Sequence, residues 1–280
     1  MSPRDSEISE LAAEVADIYS SGNRVSPTSI LKEKEIPLVV GHYGDAFDGL
    51  LECVNGRFFV HCNLDRENAP ESARGRFTIA HELGHYFIDE HRNSLACGKV
   101  KPHGSFVDKP IADLQVEREA NLFASFLLMP QGRFLQVLKG HKPGLAAIER
   151  VAEEFDVSLT CAAIRFASQE VFPCAIVKWS DEGFAWKWCS RTFWEAGFRK
   201  SIEDSAKIPT DSATGECMTK PSGKAQSTTT ASFWFPWVNS GSQKDVLLRE
   251  EAVSLGRFGV LTVLSLLDGQ KLAVAGNQRH

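Results

Sequence analysis

Two histidines and a glutamate stand at a spacing that suits metal-assisted hydrolysis. His81, Glu82 and His85 form a His-Glu-x-x-His motif within Phe77–Phe87. Positions four apart share one face of a helix, so His81 and His85 can bind one ion. A catalytic zinc keeps one coordination position for water, and a neighbouring carboxylate can take the proton of that water. The sequence therefore predicts hydrolysis of a peptide bond, with Glu82 as the general base.

The alternative interpretation is a surface helix with two solvated histidines and an exposed glutamate. The flanking residues favour the metal, because they are apolar or small and therefore bury the helix. Two histidines and a glutamate without partners would be costly on a buried helix. These flanking residues are Phe77, Ile79, Ala80, Leu83, Gly84, Phe87 and Ile88.

A third protein ligand is required, and a second amphipathic segment offers candidates. Glu117 lies 32 residues after His85, which allows the chain to return to the first helix. Asn121 is four residues further on the same face and is a candidate to hydrogen-bond the outer nitrogen of a ligand histidine. Asp113 and Glu119 are rivals, and Glu119 lies about 200° around the helix from Glu117, so only one of the two glutamates can face the site. Periodicity favours Glu117 but leaves Glu119 open.

The pattern of apolar residues predicts the elements that position these groups. Segment 89–111, between the two site helices, is predicted to be a loop, and its His91 and His103 are candidates to contact substrate or to stabilise an oxyanion. Asn55–Gly56 predicts a two-residue hairpin turn. Helices are predicted at 6–20, from Ser26, at 72–88 and at 112–128, and strands at 37–40, 50–54 and 57–62.

The composition changes near residue 170. All six tryptophans lie between residues 179 and 237, and seven of the eight histidines lie between 42 and 141. Residues 1–170 have a net charge of −7, and residues 171–280 a net charge of +2. The last segment is predicted to be mostly β, with strands at 174–179, 183–189, 232–238 and 260–267 and a long loop at 203–231. Its aromatic cluster at 233–237 is a core or a ligand pocket, and the core is favoured.

The overall composition excludes several classes of protein. The net charge of −5 disfavours non-specific binding of nucleic acid, which depends on Lys and Arg. No apolar run reaches the length that spans a bilayer, and the first residues lack the apolar core of a signal peptide. The seven cysteines are scattered and contain no CxxC motif. We therefore expect a cytoplasmic protein with reduced thiols and no membrane partner.

The run RFTIAHELGHYF, followed by EREANLFASFLLMP, resembles the ImmA/IrrE family of zinc-dependent metallopeptidases over about residues 1–170. Members share RFTxAHExxH and then E-x-E-A-[ND]-x-F-A-x-x-L-L-M-P. The resemblance implies that Glu117 is the third zinc ligand beside His81 and His85, and that Glu82 is the general base. Zinc is the expected cofactor, with manganese and iron as alternatives.

The resemblance over residues 1–170 and the change in composition near residue 170 together predict an α+β architecture in three parts. A minimal gluzincin-like metallopeptidase domain is expected at 1–130, and a helix-turn-helix-like helical extension at 131–170. The mostly β C-terminal domain at 171–280 is the place for regulation, sensing or substrate docking, and some longer members end there in a GAF-like α/β domain.

The family implies a protein substrate, namely a helix-turn-helix transcriptional repressor whose cleavage derepresses stress-response or mobile-element genes. Residues 139–165 carry equal numbers of basic and acidic side chains. This balance favours packing or substrate docking over direct DNA binding by that segment. The alternative function is a metal-binding sensor or interaction module that controls a repressor without proteolysis.

Overall fold

The computed structural model describes residues 2–106, 115–196, 198, 210–220, 222–235 and 246–267. The chain divides into two compact units. Unit 1 consists of Met1–Lys139 with Arg150–Ser158, and unit 2 of Gly140–Glu149 with Leu159–His280. The fold is mixed α+β, helical towards the N-terminus and mostly antiparallel sheet towards the C-terminus, as predicted. The domain boundaries at 130 and 170, and the likeness to a GAF domain, stay predictions.

Unit 1 surrounds a small sheet with helices. Its helices are α1 (Pro3–Tyr19), α2 (Pro27–Glu33), α3 (Ala73–Phe87), α4 (Asp89–Ala96), α5 (Gln115–Leu128) and α6 (Gln131–Leu138), and α7 (Leu145–Phe155) belongs in part to each unit. Its strands are β1 (Ser20–Ser21), β2 (Arg24–Val25), β3 (Leu38–Gly41), β4 (Gly49–Val54) and β5 (Arg57–Asn63). The three-stranded sheet has the order β3-β5-β4, in which β5 is parallel to β3 and antiparallel to β4.

Local sequence signals explain several of these elements. Ser26 caps α2 by accepting a hydrogen bond from the Ser29 amide at 3.3 Å, and Pro27 follows at the first helical position, as predicted. Asn55 and Gly56 both have positive φ, at 51° and 78°, and join β4 to β5. This is the geometry that a two-residue hairpin turn requires.

The predicted loop at 89–111 is wrong in its first part, because α4 occupies Asp89–Ala96. Ile88 ends α3 in an extended conformation, and the chain then begins a new helix. The carboxylates of Asp89 and Glu90 lie in the first turn of α4, where they interact favourably with the positive end of the helix dipole. The polar composition that indicated a loop belongs instead to an exposed helix. Residues 107–114, including the candidate Asp113, lie outside the described residues.

Unit 2 is built on an antiparallel sheet of order β7-β6-β10-β9-β8. Its strands are β6 (Cys174–Ser180), β7 (Gly183–Cys189), β8 (Lys224–Thr230), β9 (Leu247–Ser254) and β10 (Val260–Leu266), and its described helices besides α7 are α8 (Leu159–Ser168), α9 (Arg191–Glu195), α10 (Ala213–Thr219) and α11 (Ala231–Trp234). The predicted strands at 174–179, 183–189 and 260–267 are confirmed within a residue.

Two predictions for unit 2 are wrong, and one strand has no prediction. The predicted loop at 203–231 contains α10 and β8, because its small polar residues form a helical turn and an edge strand. The predicted strand at 232–238 begins instead as α11, and residues 236–238 lie outside the described part. A helical turn brings Ala231, Trp234 and Phe235 to one face, and all three are buried in the aromatic core that the sequence favoured. Strand β9 was not predicted at all.

The approach of α3 to α5 sets the geometry of unit 1. Gly84 on α3 faces Ala120 on α5, and a methyl group added at Gly84 would lie 3.0 Å from the Ala120 Cα atom. It would also lie 3.1 Å from the Ala120 carbonyl oxygen, so the obstacle is backbone rather than a flexible side chain. A side chain at Gly84 would therefore require the two helix backbones to separate by a few tenths of an ångström.

We predict that Gly84→Ala destabilises the protein, because the strain of overpacking, about 1–3 kcal/mol, exceeds the gain in helix propensity. Gly132→Ala is the matched control, since Gly132 also lies in a helix and has no atom within 4 Å of an added methyl group. That control should be neutral or stabilising by up to about 1 kcal/mol. Urea unfolding followed by far-UV circular dichroism measures both changes, and two stabilising substitutions would contradict the prediction.

Candidate metal centre

Helix α3 carries the His-Glu-x-x-His residues into the interior of unit 1. Ser72 caps the helix by accepting a hydrogen bond from the Gly75 amide at 3.0 Å. The helix then runs without a break past His81, Glu82 and His85, and all three side chains are buried. The predicted half-buried helix is therefore confirmed.

Three ligand atoms from α3 and α5 meet in one cluster. The Nε2 atoms of His81 and His85 are 3.1 Å apart. Glu117 places Oε2 at 3.2 Å from His81 Nε2 and Oε1 at 3.3 Å from His85 Nε2. A tetrahedral zinc with ligand bonds of about 2.0–2.1 Å separates its ligand atoms by about 3.3 Å. The two imidazoles and the carboxylate group are thus close enough to share one ion, and they form a candidate metal site.

Glu82 lies beside this cluster and is held by a residue that the sequence did not reveal. The Ser105 hydroxyl donates a hydrogen bond to Glu82 Oε1 at 2.6 Å. Ser105 is itself buried and fixed by backbone hydrogen bonds, from its amide to the Gly49 carbonyl at 2.9 Å and from the Asp48 amide to its own carbonyl at 2.8 Å. A lone serine in a polar segment gives no sequence signal of this role.

The position of the Glu82 side chain explains why a glycine, Gly49, stands at the start of β4. A methyl group on Gly49 would lie 2.5 Å from Thr78 Cγ2 and 2.7 Å from Glu82 Oε1. Both distances are shorter than real contacts, so any side chain here would displace the Glu82 carboxylate. The absence of a side chain at this strand residue gives Glu82 its position.

The outer nitrogens of the two histidines have different partners. His81 Nδ1 lies 3.0 Å from Asn121 Oδ1, the contact that the sequence anticipated for Asn121. His85 Nδ1 lies 3.3 Å from His91 Nδ1. His91 on α4 is only 7% exposed and is therefore behind the His85 ring rather than at a surface that receives substrate.

His103 occupies a different position from His91. Its Nε2 lies 2.5 Å from Glu117 Oε1, and its side chain is 40% exposed. Its ring centroid is 5.6 Å from that of His85. Of the two histidines that the sequence singled out for substrate contact, His103 is thus the one that is both close to the cluster and accessible.

Both rival glutamates of α5 are buried, but in different surroundings. Glu117 lies with the two histidines, whereas Glu119 accepts hydrogen bonds from Arg4 Nε at 3.2 Å and from Gln115 Nε2 at 2.7 Å. Glu119 Oε2 is also 3.2 Å from His91 Nε2. Periodicity alone left Glu119 as a rival ligand. Its burial is explained instead by its contacts with Arg4, Gln115 and His91.

Burial and neighbouring charges shift the pKa values of these groups. Burial lowers the pKa of His85 to about 4, against the opposing effect of Glu117, so this imidazole is neutral at neutral pH. Burial raises the pKa of the Glu82 carboxyl, and His81 and Ser105 offset only part of that rise. For Glu117, burial is outweighed by hydrogen bonds from His103, His81 and His85, which hold its pKa far below the usual range. Glu117 is therefore ionised, as a ligand carboxylate must be.

Comparisons with known proteins agree with this geometry. Residues 66–167 match the family model described as Peptidase_M78, the IrrE N-terminal-like domain. No curated protein is significantly similar to the chain in sequence. A solved structure described as a Mycobacterium tuberculosis transcriptional regulator is similar in fold, with a TM-score of 0.56 and 10% sequence identity over 95% of this chain and 77% of that chain. In the part of the chain that the structure describes, no helix has the length and hydropathy to cross a membrane.

We predict that Ser105→Ala destabilises the protein by about 1–3 kcal/mol, because it removes the hydrogen bond to a buried carboxylate. Ser94→Ala is the control, since the Ser94 hydroxyl donates to the Glu90 backbone carbonyl on the exposed side of α4. The control should change stability by less than about 0.5 kcal/mol. Chemical unfolding of both variants at the same pH measures the difference, and equal stabilities would argue against the Ser105–Glu82 bond.

Proposed function

We propose that this chain, in which residues 66–167 form a domain of the IrrE N-terminal-like peptidase family, is a zinc-dependent endopeptidase. One observation carries the proposal, namely that donor atoms of His81, His85 and Glu117 lie within 4.8 Å of one another. Two imidazoles and one carboxylate are a donor set that zinc accepts in hydrolytic enzymes. Family membership supports peptidase activity in general, and this donor set supports zinc.

The side chains around the cluster suit the cleavage of an amide bond. Zinc held by this donor set would act as a Lewis acid that polarises the scissile carbonyl and acidifies a water molecule. Glu82 would take a proton from the attacking water and deliver one to the leaving amine. Burial raises the pKa of Glu82, which makes its carboxylate a stronger base toward the proton of the water.

His103 is the side chain that we assign to substrate. Its hydrogen bond with Glu117 raises its pKa above the usual value, against the effect of burial. A protonated imidazole beside the scissile bond would donate a hydrogen bond to the developing negative charge on the carbonyl oxygen. Its partial exposure allows this contact, whereas His91 is enclosed.

We further propose that the substrate is a helix-turn-helix transcriptional repressor, and that its cleavage derepresses stress-response or mobile-element genes. The resemblance to the ImmA/IrrE family supports this substrate class. The zero net charge of residues 139–165 also supports it, because any effect on genes would then act through another DNA-binding protein. The expected compartment is the cytoplasm, where such a repressor works.

A second candidate function is control of a repressor by binding alone. It is favoured by the likeness in fold, over 95% of this chain, to a protein described as a transcriptional regulator rather than as a peptidase. The two candidates differ in their products. Proteolysis leaves a repressor fragment with a defined new N-terminus, and binding leaves the repressor intact.

We predict that the full chain binds about one zinc ion and that His85→Ala and Glu117→Gln each abolish stoichiometric binding, since each removes one of three protein ligands. His42→Ala is the control, because the His42 side chain is 72% exposed and pairs with Asp65 away from the cluster. Metal analysis after dialysis, with titration calorimetry, gives the stoichiometry. Full zinc occupancy in Glu117→Gln would exclude Glu117 as a ligand.

We predict that Glu82→Gln retains zinc but slows cleavage by about 10²–10⁴-fold, because an amide cannot accept the proton from water. Glu71→Gln makes the same change at an exposed glutamate and should cleave normally. The assay is co-expression with any helix-turn-helix repressor found to be encoded beside this chain's own gene, followed by N-terminal sequencing of fragments. Cleavage by Glu82→Gln at the wild-type rate would remove Glu82 from the mechanism.

A further inference from the structure

We propose that His91, Glu119 and Arg4 form a hydrogen-bonded chain that fixes the proton on His85 Nδ1, and thereby presents His85 Nε2 to the metal. His91 and Glu119 are positioning residues that act through His85, and Arg4 holds the end of the chain. The inference rests on the metal site of the proposed function, but it does not depend on peptide cleavage.

The argument starts from His85. A neutral imidazole carries one N–H, so Nε2 can offer its lone pair to a metal only when the proton is on Nδ1. That Nδ1 points at His91 Nδ1, 3.3 Å away, and both rings are buried. His91 Nδ1 is therefore the acceptor that the described residues offer to an N–H on His85 Nδ1.

The second step fixes the proton of His91. To accept from His85, its Nδ1 must be unprotonated, and its own proton must lie on Nε2. His91 Nε2 lies 3.2 Å from Glu119 Oε2, which accepts a hydrogen bond. The opposite tautomer would direct two N–H groups at one another and a nitrogen lone pair at a carboxylate. When both imidazoles are neutral, one order of protons therefore satisfies both contacts.

The third step concerns the end of the chain. Arg4 on α1 donates to Glu119 Oε2 from Nε at 3.2 Å and from Nη2 at 3.0 Å. Gln115 donates to the other oxygen of Glu119, at 2.7 Å. Arg4 also pairs with Glu90 at 2.9 Å, which ties it to α4, the helix that carries His91. The carboxylate is thus ionised and fixed by contacts from α1 and α5.

The two ligand histidines are oriented by partners of unlike chemistry. His81 Nδ1 contacts the neutral amide of Asn121, whereas His85 Nδ1 contacts the His91 imidazole, which in turn contacts the Glu119 carboxylate. Partners of this kind set the tautomer and the basicity of metal-bound histidines, and their loss typically lowers metal affinity 10–100-fold. His91 and Glu119 thereby gain a role that neither substrate contact nor direct ligation gives them.

The test compares two substitutions of His91 in the full chain. His91→Phe keeps the ring volume but removes both hydrogen bonds, and we expect zinc affinity to fall about 10–100-fold. His91→Gln can accept through its amide oxygen and donate through its amide nitrogen, so we expect an affinity within about threefold of wild type. His42→Phe is the matched control at an exposed histidine and should leave the affinity unchanged. Competition with a chelator measures zinc affinity, and circular dichroism verifies folding.

A spectroscopic measurement tests the order of protons directly. Long-range ¹H–¹⁵N spectra of the ¹⁵N-histidine-labelled chain should show His91 protonated on Nε2 with and without zinc. With zinc, they should show His85 protonated on Nδ1. A His91 proton on Nδ1, or equal zinc affinities for folded His91→Phe and His91→Gln, would overturn the inference.

These outcomes separate the inference from the proposed activity. If the protein cleaves no repressor but shows the predicted tautomers and the loss of zinc affinity in His91→Phe, the role of His91 is supported and the peptidase function is contradicted. If the protein cleaves its repressor while His91→Phe binds zinc as tightly as wild type, the peptidase function is supported and the role of His91 is contradicted.

Discussion

Unit 1 must bury two histidines and two glutamates side by side, and the rest of its structure depends on that constraint. Buried ionisable groups are stable only when hydrogen bonds or opposite charges compensate them. Ser105 supplies a donor to Glu82, and Asn121 an acceptor for His81. Glu119 supplies an acceptor for His91 and is itself paired with Arg4. The close approach of α3 and α5 brings these groups within range of one another, so loss of that packing would leave several uncompensated charges together.

The parts of this arrangement that are local in sequence could be predicted. A four-residue spacing places His81 and His85 together on any helix, and periodicity found both α3 and α5. Periodicity could not choose between Glu117 and Glu119, because both are buried, at 1% and 7% exposure. The partner that explains the burial of Glu119 is Arg4, 115 residues earlier, and no local pattern contains such a contact.

Strand β9 of unit 2 is a second element that local sequence patterns could not predict. β9 was missed because its sequence places Arg249, Glu250 and Glu251 in the middle, which hides the alternation of a half-buried strand. Glu250 is fully buried, yet it accepts hydrogen bonds from the Thr214 amide at 2.8 Å and from Trp234 Nε1 at 3.3 Å. The same hydrogen-bond network involves α10 and α11, the elements that the sequence assigned to a loop and a strand. A buried carboxylate therefore misleads a pattern argument wherever its donors come from elsewhere in the chain.

The candidate site extends beyond the segment that matches the family model. Residues 66–167 contain the ligand atoms and Glu82, but Gly49 gives Glu82 its space, and Arg4 holds the chain behind His85. These two residues come from the start of β4 and from α1, so upstream elements contribute to the electrostatics of the site. α5 joins the two parts, because opposite faces of its first turn carry Glu117 toward the candidate metal site and Glu119 toward Arg4. These two side chains point in opposite directions, so only one of them can be a ligand. The same geometry lets α5 supply the ligand Glu117 on one face and, on the other, Glu119, which holds the His91 partner of His85.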